Sequence, residues 1–476
     1  MGLLVDTAFL DAASTAPALQ DMLRPALVEA LFTRNDRALP PELVAVLGRQ
    51  PSVTVKAKSD VDVAKLVQVA NGQESTVSLG LSAEDFHYVR RQLEVGKDRD
   101  IGIYLRPFAL TTHPWIVPPQ GGIEIDVRDL SEIEIDEKGH RAVVGIGCRW
   151  KALYDAAVQA GHIVPFFPVV PLDYGIVDAF AGDALFESYR APFRRYLLGV
   201  RSFTSHGRKA RLGFEEVPNH GTGYDLLNLL QNSLTEFVVP VAASFLLAPR
   251  PRVVKNIAFH YPDPAKLAEA LAKLTASARS PLYANVYDAS AWQLLRPGAT
   301  GGPFTLELGL AGAPTVVAVR EKGVEALLAG FTAKEEIASP YDVEARSYAK
   351  NAEKIGRLLF PGYVLGPAKS FADLVAKLKS VSQAERAKMS LFGSVRAQGS
   401  FVLAPGFDTP KERPKIYSVS HRVWDLVNAT PGSVYLSRLA HLWSEDRMYR
   451  ERLAWMQKLK SEIDSAKVVE PRVVPR

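Results

Sequence analysis

Cysteine is almost absent from this chain of 476 residues, in which Cys148 is the only one. A single thiol excludes an intramolecular disulfide framework and any iron–sulfur or zinc site built from several cysteines of this chain. Such low cysteine use favours an intracellular setting. Asn and Gln are scarce beside many Arg, Lys and Glu residues, which is typical of heat-adapted sources. We predict a cytoplasmic protein in which Cys148 is a buried, unreactive thiol.

Long hydrophobic runs are missing as well. The longest apolar run, residues 237–249, contains Pro240 and falls short of the roughly 20 residues that cross a bilayer. The N-terminal sequence MGLLVDTAFLDAAST carries acidic residues where a secretory signal is basic, and it lacks the pattern for N-myristoylation. We therefore expect no transmembrane segment, no signal peptide and no lipid anchor.

The charge is close to balanced, with 57 Lys and Arg residues against 52 Asp and Glu residues. This balance argues against a nucleic-acid-binding domain. One basic cluster lies within residues 190–211. Its members are Arg190, Arg194, Arg195, Arg201, Arg208, Lys209 and Arg211. We interpret this basic cluster as a solvated surface, and the alternative is a docking surface for an acidic partner subunit or an anionic ligand.

Several catalytic motifs are also absent. The sequence has no phosphate-binding loop G-x-x-x-x-G-K-[ST], no nucleophile elbow G-x-S-x-G and no zinc-binding H-E-x-x-H pair. The string GIGCRW at residues 145–150 lacks the third glycine of a dinucleotide-binding loop. His421 and His441 are isolated, and we predict hydrogen-bonded helix residues in place of catalytic groups. No metal site is expected.

The elements that are present change character along the chain. Residues 1–50 predict short helices interrupted by prolines, and the stretch that follows predicts a strand and then a helix. Residues 123–146 alternate apolar and polar side chains, which predicts an antiparallel meander with one wet face. The sequence WKALYDAAVQAG then predicts a helix that ends at Gly161.

The second half of the chain predicts a different unit. Over residues 252–330 the order strand, helix, strand, strand, strand, helix fits an α+β sandwich of ferredoxin-like kind, with PTVVAVRE as the last of the strands. Residues 331–476 predict further helices, two strands near Leu391–Leu403 and a charged terminal helix over residues 434–465. No internal repeat is evident in the sequence.

Six strings within residues 51–251 carry a family resemblance. They are PSVTVKAKSDVDVAKLVQVAN, GGIEIDVRDLSEI, VVGIGCRWKAL, YLLGVRSFTSHGR, GTGYDLLNLL and FLLAPRP. In order and spacing they resemble the flavin-binding domain of the FAD-linked oxidases and dehydrogenases related to vanillyl-alcohol oxidase. Members of this family include glycolate oxidase and D-lactate dehydrogenase subunits.

The resemblance implies a fold class and a function. It implies an α+β protein with a two-subdomain FAD-binding domain of PCMH type, a ferredoxin-like cap domain and C-terminal helices. The corresponding bounds are residues 1–50, 51–251, 252–416 and 417–476. The implied activity is FAD-linked dehydrogenation of a 2-hydroxy acid such as glycolate or lactate. An iron–sulfur or second dehydrogenase subunit is the implied partner, and association of several copies stays open.

The resemblance also assigns residues to FAD through three phosphate turns. The chain reads RPFALT at 106–111, GIVDAFAGD at 175–183 and NSLTEFVV at 232–239. The assigned cofactor-binding residues are Arg106, Pro107, Phe108, Thr111, Gly175, Ile176, Val177, Gly182, Ser233 and Val239. Most glycines of the family's turns are replaced here. Glycine presents backbone N–H groups to a diphosphate without obstruction, so these replacements hinder the contact.

Charge adds to this hindrance, because Asp178, Asp183 and Glu236 would face the diphosphate in the family geometry. Like charges about 4 Å apart cost roughly 4 kcal/mol at an intermediate dielectric. The family's histidine-containing substrate motifs are absent after residue 252. Three hypotheses remain. The first is a divergent FAD-linked subunit of a redox complex, and the second is a non-catalytic scaffold that has lost FAD. The third is a cavity for another small molecule, lined by Arg106, Phe108 and Trp115.

Overall fold

The structure is a computed structural model. It describes residues 53–71, 103–105, 123–168, 175–181, 186–190, 195–215, 227, 237–299, 301–337, 358–360, 362–408, 415–436, 447–465 and 469. The helical segment predicted for residues 1–50 lies outside the described residues.

A small parallel sheet opens the described chain. Its strands are β1 (Val53–Lys56), β2 (Ile103–Leu105) and β3 (Ile123–Asp126), in the order β1-β3-β2. Helix α1 (Asp60–Asn71) follows β1, as predicted. Asp62 stabilises its first turn, because its Oδ2 accepts the backbone N–H groups of Lys58 and Ser59 at 3.0 Å each.

A second sheet has five antiparallel strands in the order β10-β9-β11-β5-β4. They are β4 (Ile133–Asp136), β5 (Arg141–Gly145), β9 (Leu197–Phe203), β10 (Lys209–Gly213) and β11 (Val239–Leu246). The predicted meander is therefore wrong in part, because β3 belongs to the parallel sheet. Its side chains Glu124 and Asp126 are buried, since β3 is the central strand there. Alternation predicts a strand but does not specify its partner.

Shorter elements connect the two sheets. They are α2 (Trp150–Gln159), β6 (His162–Ile163), β7 (Phe167–Pro168), α3 (Ile176–Ala181), β8 (Phe186–Glu187) and β12 (Ala248–Pro249). β6 pairs with β12, and β7 pairs with β8. α2 ends as predicted, because Gly161 just beyond it has a φ of +73°. Only glycine adopts this left-handed conformation without strain.

The second half of the chain builds one large sheet from two units of the same topology. The first unit consists of β13 (Val253–Tyr261), α4 (Pro264–Ala276), β14 (Tyr283–Asp288), α5 (Ala289–Leu295), β15 (Phe304–Gly312), α6 (Pro314–Leu327) and β16 (Ala333–Ile337). Its strand order is β16-β13-β15-β14, the ferredoxin-like order 4-1-3-2. PTVVAVRE, predicted as a strand, begins α6 instead. Pro314 occupies its first turn, where proline is favoured.

The second unit repeats this β-α-β-β-α-β pattern. It consists of β18 (Tyr363–Pro367), α7 (Phe371–Ala384), β19 (Lys388–Arg396), β20 (Ser400–Asp408), α8 (Lys415–Asn428) and β21 (Val434–Leu436), with the short strand β17 (Leu358–Leu359) beside β20. Its strand order is β19-β20-β18-β21, and β14 pairs with β19 to join the two units. The cap therefore contains two units of one topology, although no internal repeat is evident in the sequence.

The end of the chain differs from the expectation. The boundary placed at residue 416 falls inside α8, and the start of the predicted terminal helix is β21. We place the end of the cap after Leu436. Helix α9 (Arg447–Ile463) follows. Beyond it, Val469 bridges to Ile103 beside the parallel sheet, and its N–H donates to Asp464 Oδ2 at 3.1 Å.

Two hydrophobic clusters hold these layers together. One cluster joins the core of both small sheets to the inner face of the cap sheet. The other fills the space between the outer face of the cap sheet and its helices. Tyr189, just after β8, is buried in this second cluster and donates to Leu274 O at 3.1 Å. The N-terminal region therefore anchors to both sides of the cap.

Candidate functional site

In the turn before α3, the backbone N–H groups donate to acceptors within the protein. The N–H of Ile176 donates to Cys148 O at 2.8 Å, and that of Val177 donates to Ile146 O at 3.0 Å. Gly175 N–H donates to Asp178 Oδ2 at 2.8 Å, and Asp178 N–H donates to Gly175 O at 3.1 Å. All four consecutive N–H groups are therefore used internally.

Asp178 caps this turn. Its carboxylate lies within the turn and accepts from Gly175, and the residue is 4% exposed. This is the geometry of a capping side chain at the start of a helix. The expectation that Asp178 presents its charge to a diphosphate is therefore wrong for this carboxylate. Asp183 and Glu236 lie outside the described residues.

The described end of the third turn is part of the sheet. Val239 pairs with Phe203 at the start of β11, and it is buried together with Phe237 and Val238. Lys460 from α9 lies over the Phe237 ring, with Nζ 5.8 Å from the ring centroid. This end of the turn is closed by core packing.

The inner face of the cap sheet carries a row-by-row arrangement of polar side chains. Directly paired residues share a face of a sheet, and here three rows cross β13, β15 and β14. The rows are Asn256–Gly309–Tyr283, Ala258–Glu307–Asn285 and His260–Thr305–Tyr287. The alternating residues on the outer face, such as Phe259 and Leu306, are apolar and pack under the helices.

We call these polar side chains of the inner face, with the residues bonded to them, the cap network. Glu307 lies at its centre. Its side chain is 1% exposed and accepts from Tyr287 OH at 2.9 Å and from Arg296 Nη2 at 3.1 Å. Tyr283 OH lies 3.4 Å from the same carboxylate and 2.7 Å from Asn256 Oδ1. A guanidinium and hydroxyl groups are the hydrogen-bond donors that a buried carboxylate requires.

His260 extends the cap network toward the edge of the sheet. Its Nδ1 lies 2.9 Å from Thr305 Oγ1, and its Nε2 lies 3.0 Å from Glu335 Oε1. The imidazole is buried and packs edge-on against Trp292, with ring centroids 5.9 Å apart. A histidine held between a hydroxyl and a carboxylate has the geometry of a proton-transferring group, and also that of a structural one.

Asn285 is the exception within the cap network. It is 0% exposed, and neither amide atom has a hydrogen-bond partner among the described residues. Its neighbours across the strands are Glu307 and Ser394. A buried amide costs about 1–3 kcal/mol when its hydrogen bonds are not made. The amide of Asn285 therefore has unused hydrogen-bonding capacity toward the inner face.

Asp288 ends β14 and caps α5. Its Oδ1 accepts the N–H of Ala291 at 2.8 Å. Burial raises the pKa of this carboxyl from 3.8 to about 6, against the lowering effect of backbone N–H donors. It lies at the end of a strand that contributes Asn285 and Tyr287 to the cap face.

A cleft of about 310 Å³ opens where the cap meets the N-terminal region. The N-terminal region contributes Ser188, Arg190 and Tyr196, and the cap contributes Ser280 and Arg320. Proline and aliphatic side chains complete the walls. This interdomain cleft contains no carboxylate among its lining residues.

Known proteins resemble the chain at different levels. No family model matches it. A D-lactate dehydrogenase from Archaeoglobus fulgidus is 27% identical over 172 residues, which are 36% of this chain and 38% of that enzyme. The matched segment thus spans well under half of the relative's length.

Solved structures match nearly the whole chain. p-Cresol methylhydroxylase with bound substrate has a TM-score of 0.67 at 14% identity and covers 99% of this chain and 98% of that one. 4-Ethylphenol oxidase from Gulosibacter chungangensis has a TM-score of 0.66 at 12% identity, with 96% of each chain covered. Alkyldihydroxyacetonephosphate synthase has a TM-score of 0.61 at 15% identity and covers 90% and 78%.

The chain has the PCMH-type fold of FAD-linked oxidases and dehydrogenases.

In the PCMH-type fold, FAD places a requirement on the phosphate turns. A diphosphate needs several backbone N–H groups free to point at it. Those of Gly175, Ile176 and Val177, all assigned to FAD from the sequence, are bonded inside the protein. This turn does not fit a diphosphate. The assigned residues Arg106, Pro107, Phe108, Thr111, Gly182 and Ser233 lie outside the described residues, as does Trp115.

The basic cluster is divided among several partners. Arg201 binds Glu215 with two hydrogen bonds of 2.9 and 2.8 Å. Burial opposes ionisation of Glu215, but Arg201 outweighs it and keeps the pKa of Glu215 below its usual value. Lys209 pairs with Asp60 at 3.0 Å on the surface. Arg190 lines the interdomain cleft, and Arg194 lies outside the described residues.

The remaining candidates are structural. Cys148 is buried, as predicted, and burial raises its pKa to about 12. His421 pairs with Asp425 one turn along α8 at 3.3 Å, and His441 lies outside the described residues. Among the described residues, no three His, Cys, Asp or Glu side chains cluster as metal ligands. Within the same residues no helix has the length and apolar character of a membrane span.

Sequence reasoning missed the cap network, although a signal was present. The strands NIAFHY, YANVYD and FTLELGL place polar residues at alternate positions in otherwise apolar strands. Strands buried on both faces are usually apolar throughout. A polar period of two in such strands therefore predicts a buried polar face.

Proposed function

We propose that this chain is a non-catalytic PCMH-type subunit of a redox complex, which does not hold FAD by the turn at Gly175. The closed backbone donors of residues 175–178 carry this proposal. All four residues are buried, so opening one bond for a ligand leaves its former acceptor unsatisfied at a cost of about 1–3 kcal/mol. A phosphate contact would have to recover that cost at each N–H.

The proposed partner is a second dehydrogenase or iron–sulfur subunit. The PCMH-type fold supplies a large, rigid framework, and a fold can persist as a scaffold after its site is lost. The single buried cysteine cannot hold a cluster, so any iron–sulfur centre would belong to the partner.

A second candidate function is FAD-linked oxidation of a 2-hydroxy acid. The match to a D-lactate dehydrogenase and the orphaned amide of Asn285 favour it. A bound flavin accepts the hydride in such enzymes, and the protein supplies a cation for the substrate carboxylate and a base for the hydroxyl proton. Arg296 has the chemistry of such a cation, and His260 has that of such a base. Glu307 and Glu335, however, already pair with them.

Flavin content separates the two candidates. The full chain is purified without added cofactor, and FAD released by denaturation is quantified by absorbance and fluorescence. Its melting temperature is then measured with increasing FAD, with the Archaeoglobus fulgidus D-lactate dehydrogenase as positive control. The scaffold proposal expects no released FAD and no melting shift, since only a ligand that binds the native state stabilises it. Stoichiometric FAD would overturn the first candidate and favour the second.

The subunit part of the proposal has its own test. The chain is expressed with a tag in its native host, and co-purifying proteins are identified by mass spectrometry. We expect a dehydrogenase or iron–sulfur protein in fixed ratio to the chain. A chain that purifies alone at its native abundance would contradict the complex, whatever its flavin content.

A further inference from the structure

The interdomain cleft combines positive charge with apolar walls. Its polar lining consists of two arginines, two serines and a tyrosine, and its remaining walls are mostly proline and aliphatic residues such as Leu282 and Pro281. A volume of about 310 Å³ is at the small end of ligand pockets, which typically hold about 300–1,000 Å³. The cleft therefore suits a small molecule with one polar end.

The two arginines keep donors available. Arg190 donates through Nε to Ser280 Oγ at 2.7 Å, and Arg320 donates through one Nη to Ala311 O at 2.8 Å. A guanidinium carries five N–H donors. Among the described residues, no carboxylate pairs with either arginine. Each guanidinium is thus positioned by one neutral contact and retains charge and donors for a ligand.

The surroundings of α6 strengthen the positive field. The Arg279 guanidinium lies against Gly323, one turn from Arg320, with Nε 2.7 Å from where a glycine Cβ would be. The acidic residues of the helix are engaged elsewhere. Glu321 binds Lys255 and Lys334 at 2.9 and 2.7 Å, and Glu325 also binds Lys334. Nothing described near Arg320 neutralises it.

We propose that the interdomain cleft binds a small organic anion. Its carboxylate or phosphate head lies between Arg190 and Arg320, where charge-assisted hydrogen bonds are strongest. Its apolar body packs on Pro281 and Leu282. The hydroxyls of Ser188 and Tyr196, which lie 2.8 Å apart, complete the polar end. This site is separate from the Gly175 turn and from the cap network, so it does not depend on the flavin question.

Binding is tested on the full chain with three probes and no added flavin. Acetate, benzoate and inorganic phosphate are titrated by calorimetry at constant ionic strength. We expect saturable binding of benzoate, tighter than that of acetate because of the apolar walls. Phosphate binding tighter than that of both carboxylates would identify a phosphate head. The absence of saturable binding for all three probes would overturn the proposal.

Variants locate the bound anion. Arg320→Gln and Arg190→Gln should each raise the Kd at least about tenfold, as expected for loss of a charge-assisted hydrogen bond. Arg208→Gln removes an equally charged, exposed residue of the basic cluster away from the cleft, and it should leave the Kd unchanged. Equal weakening by all three variants would mean non-specific screening and would overturn the site.

A milder variant guards against misfolding. Ser280→Ala removes the side chain that positions Arg190 and keeps the charge. We expect a Kd increase of about threefold to tenfold with an unchanged melting temperature in the absence of the anion. If Ser280→Ala and a folded Arg320→Gln variant both bind the probes as the parent does, the anion does not occupy this cleft.

Discussion

The turn at Gly175 and the cap network both bury polar groups, but they satisfy them differently. At the turn, backbone N–H groups bond to nearby backbone carbonyls and to the capping Asp178. In the cap, Tyr287 and Arg296 donate to Glu307, and Asn285 beside it has no partner among the described residues. The turn is therefore satisfied by its own groups, whereas the cap face retains an amide that can bond a ligand.

The same contrast exists inside the cap. The two units share one topology, yet the facing residues of the second unit are mainly apolar, as at Phe392, Val402 and Ala404. Two units with the same backbone topology can therefore differ in the polarity of their facing side chains. The network is therefore a property of the first unit's side chains and can be removed without changing the fold class.

The largest effect is expected at the centre of the network. Glu307→Ala leaves the Arg296 guanidinium buried without its carboxylate, and removing one partner of a buried pair costs about 3–5 kcal/mol. The free energy of unfolding is measured by urea denaturation. The double change Glu307→Gln with Arg296→Met should recover at least half of the loss. Full stability in Glu307→Ala would show that the network is not a structural unit.

The next largest effect is expected on the pH dependence of the free energy of unfolding, through Asp288. Its folded pKa, about 6, lies above the unfolded value of 3.8, so the native state binds the proton first as pH falls. Its contribution to stability is complete below pH 3.8 and is lost as pH rises through 6. The shift corresponds to on the order of 3 kcal/mol.

Asp288→Asn keeps the capping oxygen and abolishes the titration. The variant should therefore gain stability over the parent between pH 4 and pH 8, by on the order of 2 kcal/mol, in unfolding experiments across that range. A constant difference between the two proteins over the same range would show that burial does not perturb this carboxyl.

A smaller effect is expected at the Gly175 turn. Asp178→Ala removes the acceptor of the Gly175 N–H and should cost about 1–2 kcal/mol. Asp178→Asn retains an acceptor oxygen and serves as the control, with less than half of that cost. If both variants are as stable as the parent, the turn is not closed by this side chain.

The smallest effect is expected on the surface. Lys209 and Asp60 form an exposed ion pair between β10 and α1. Lys209→Ala should change the free energy of unfolding by about 0.5 kcal/mol or less, because exposed pairs are screened by water and salt. A loss comparable to that of Asp178→Ala would mean that the basic cluster contributes to the fold.

Local patterns in the sequence predicted local structure well. The helix ending at Gly161, the strand and helix at Val53 to Asn71, and the buried Cys148 follow from caps, periodicity and apolar context. The family resemblance predicted the PCMH-type fold. Partner choice was not predictable, because alternation in β3 fits either a meander or a parallel sheet. The duplicated cap went unnoticed because its two units share topology without similar side chains.

The candidate site was less predictable than the fold. The glycine replacements indicated an altered turn, but the side chain of Asp178 was expected to point at a ligand and instead caps its own turn. Hydrogen bonds between residues 146–148 and 176–177 depend on tertiary packing, which no local pattern encodes. The interdomain cleft was not predictable either, because its lining residues lie more than a hundred positions apart in the sequence.

Amide hydrogen exchange can show directly whether the backbone donors of the Gly175 turn are closed. Mass spectrometry of peptides spanning residues 175–178 reports whether those N–H groups are bonded without any ligand. The closed turn predicts slow exchange in the absence of FAD and no change when FAD is added. Fast exchange that becomes slow on adding FAD would show that these donors await a diphosphate.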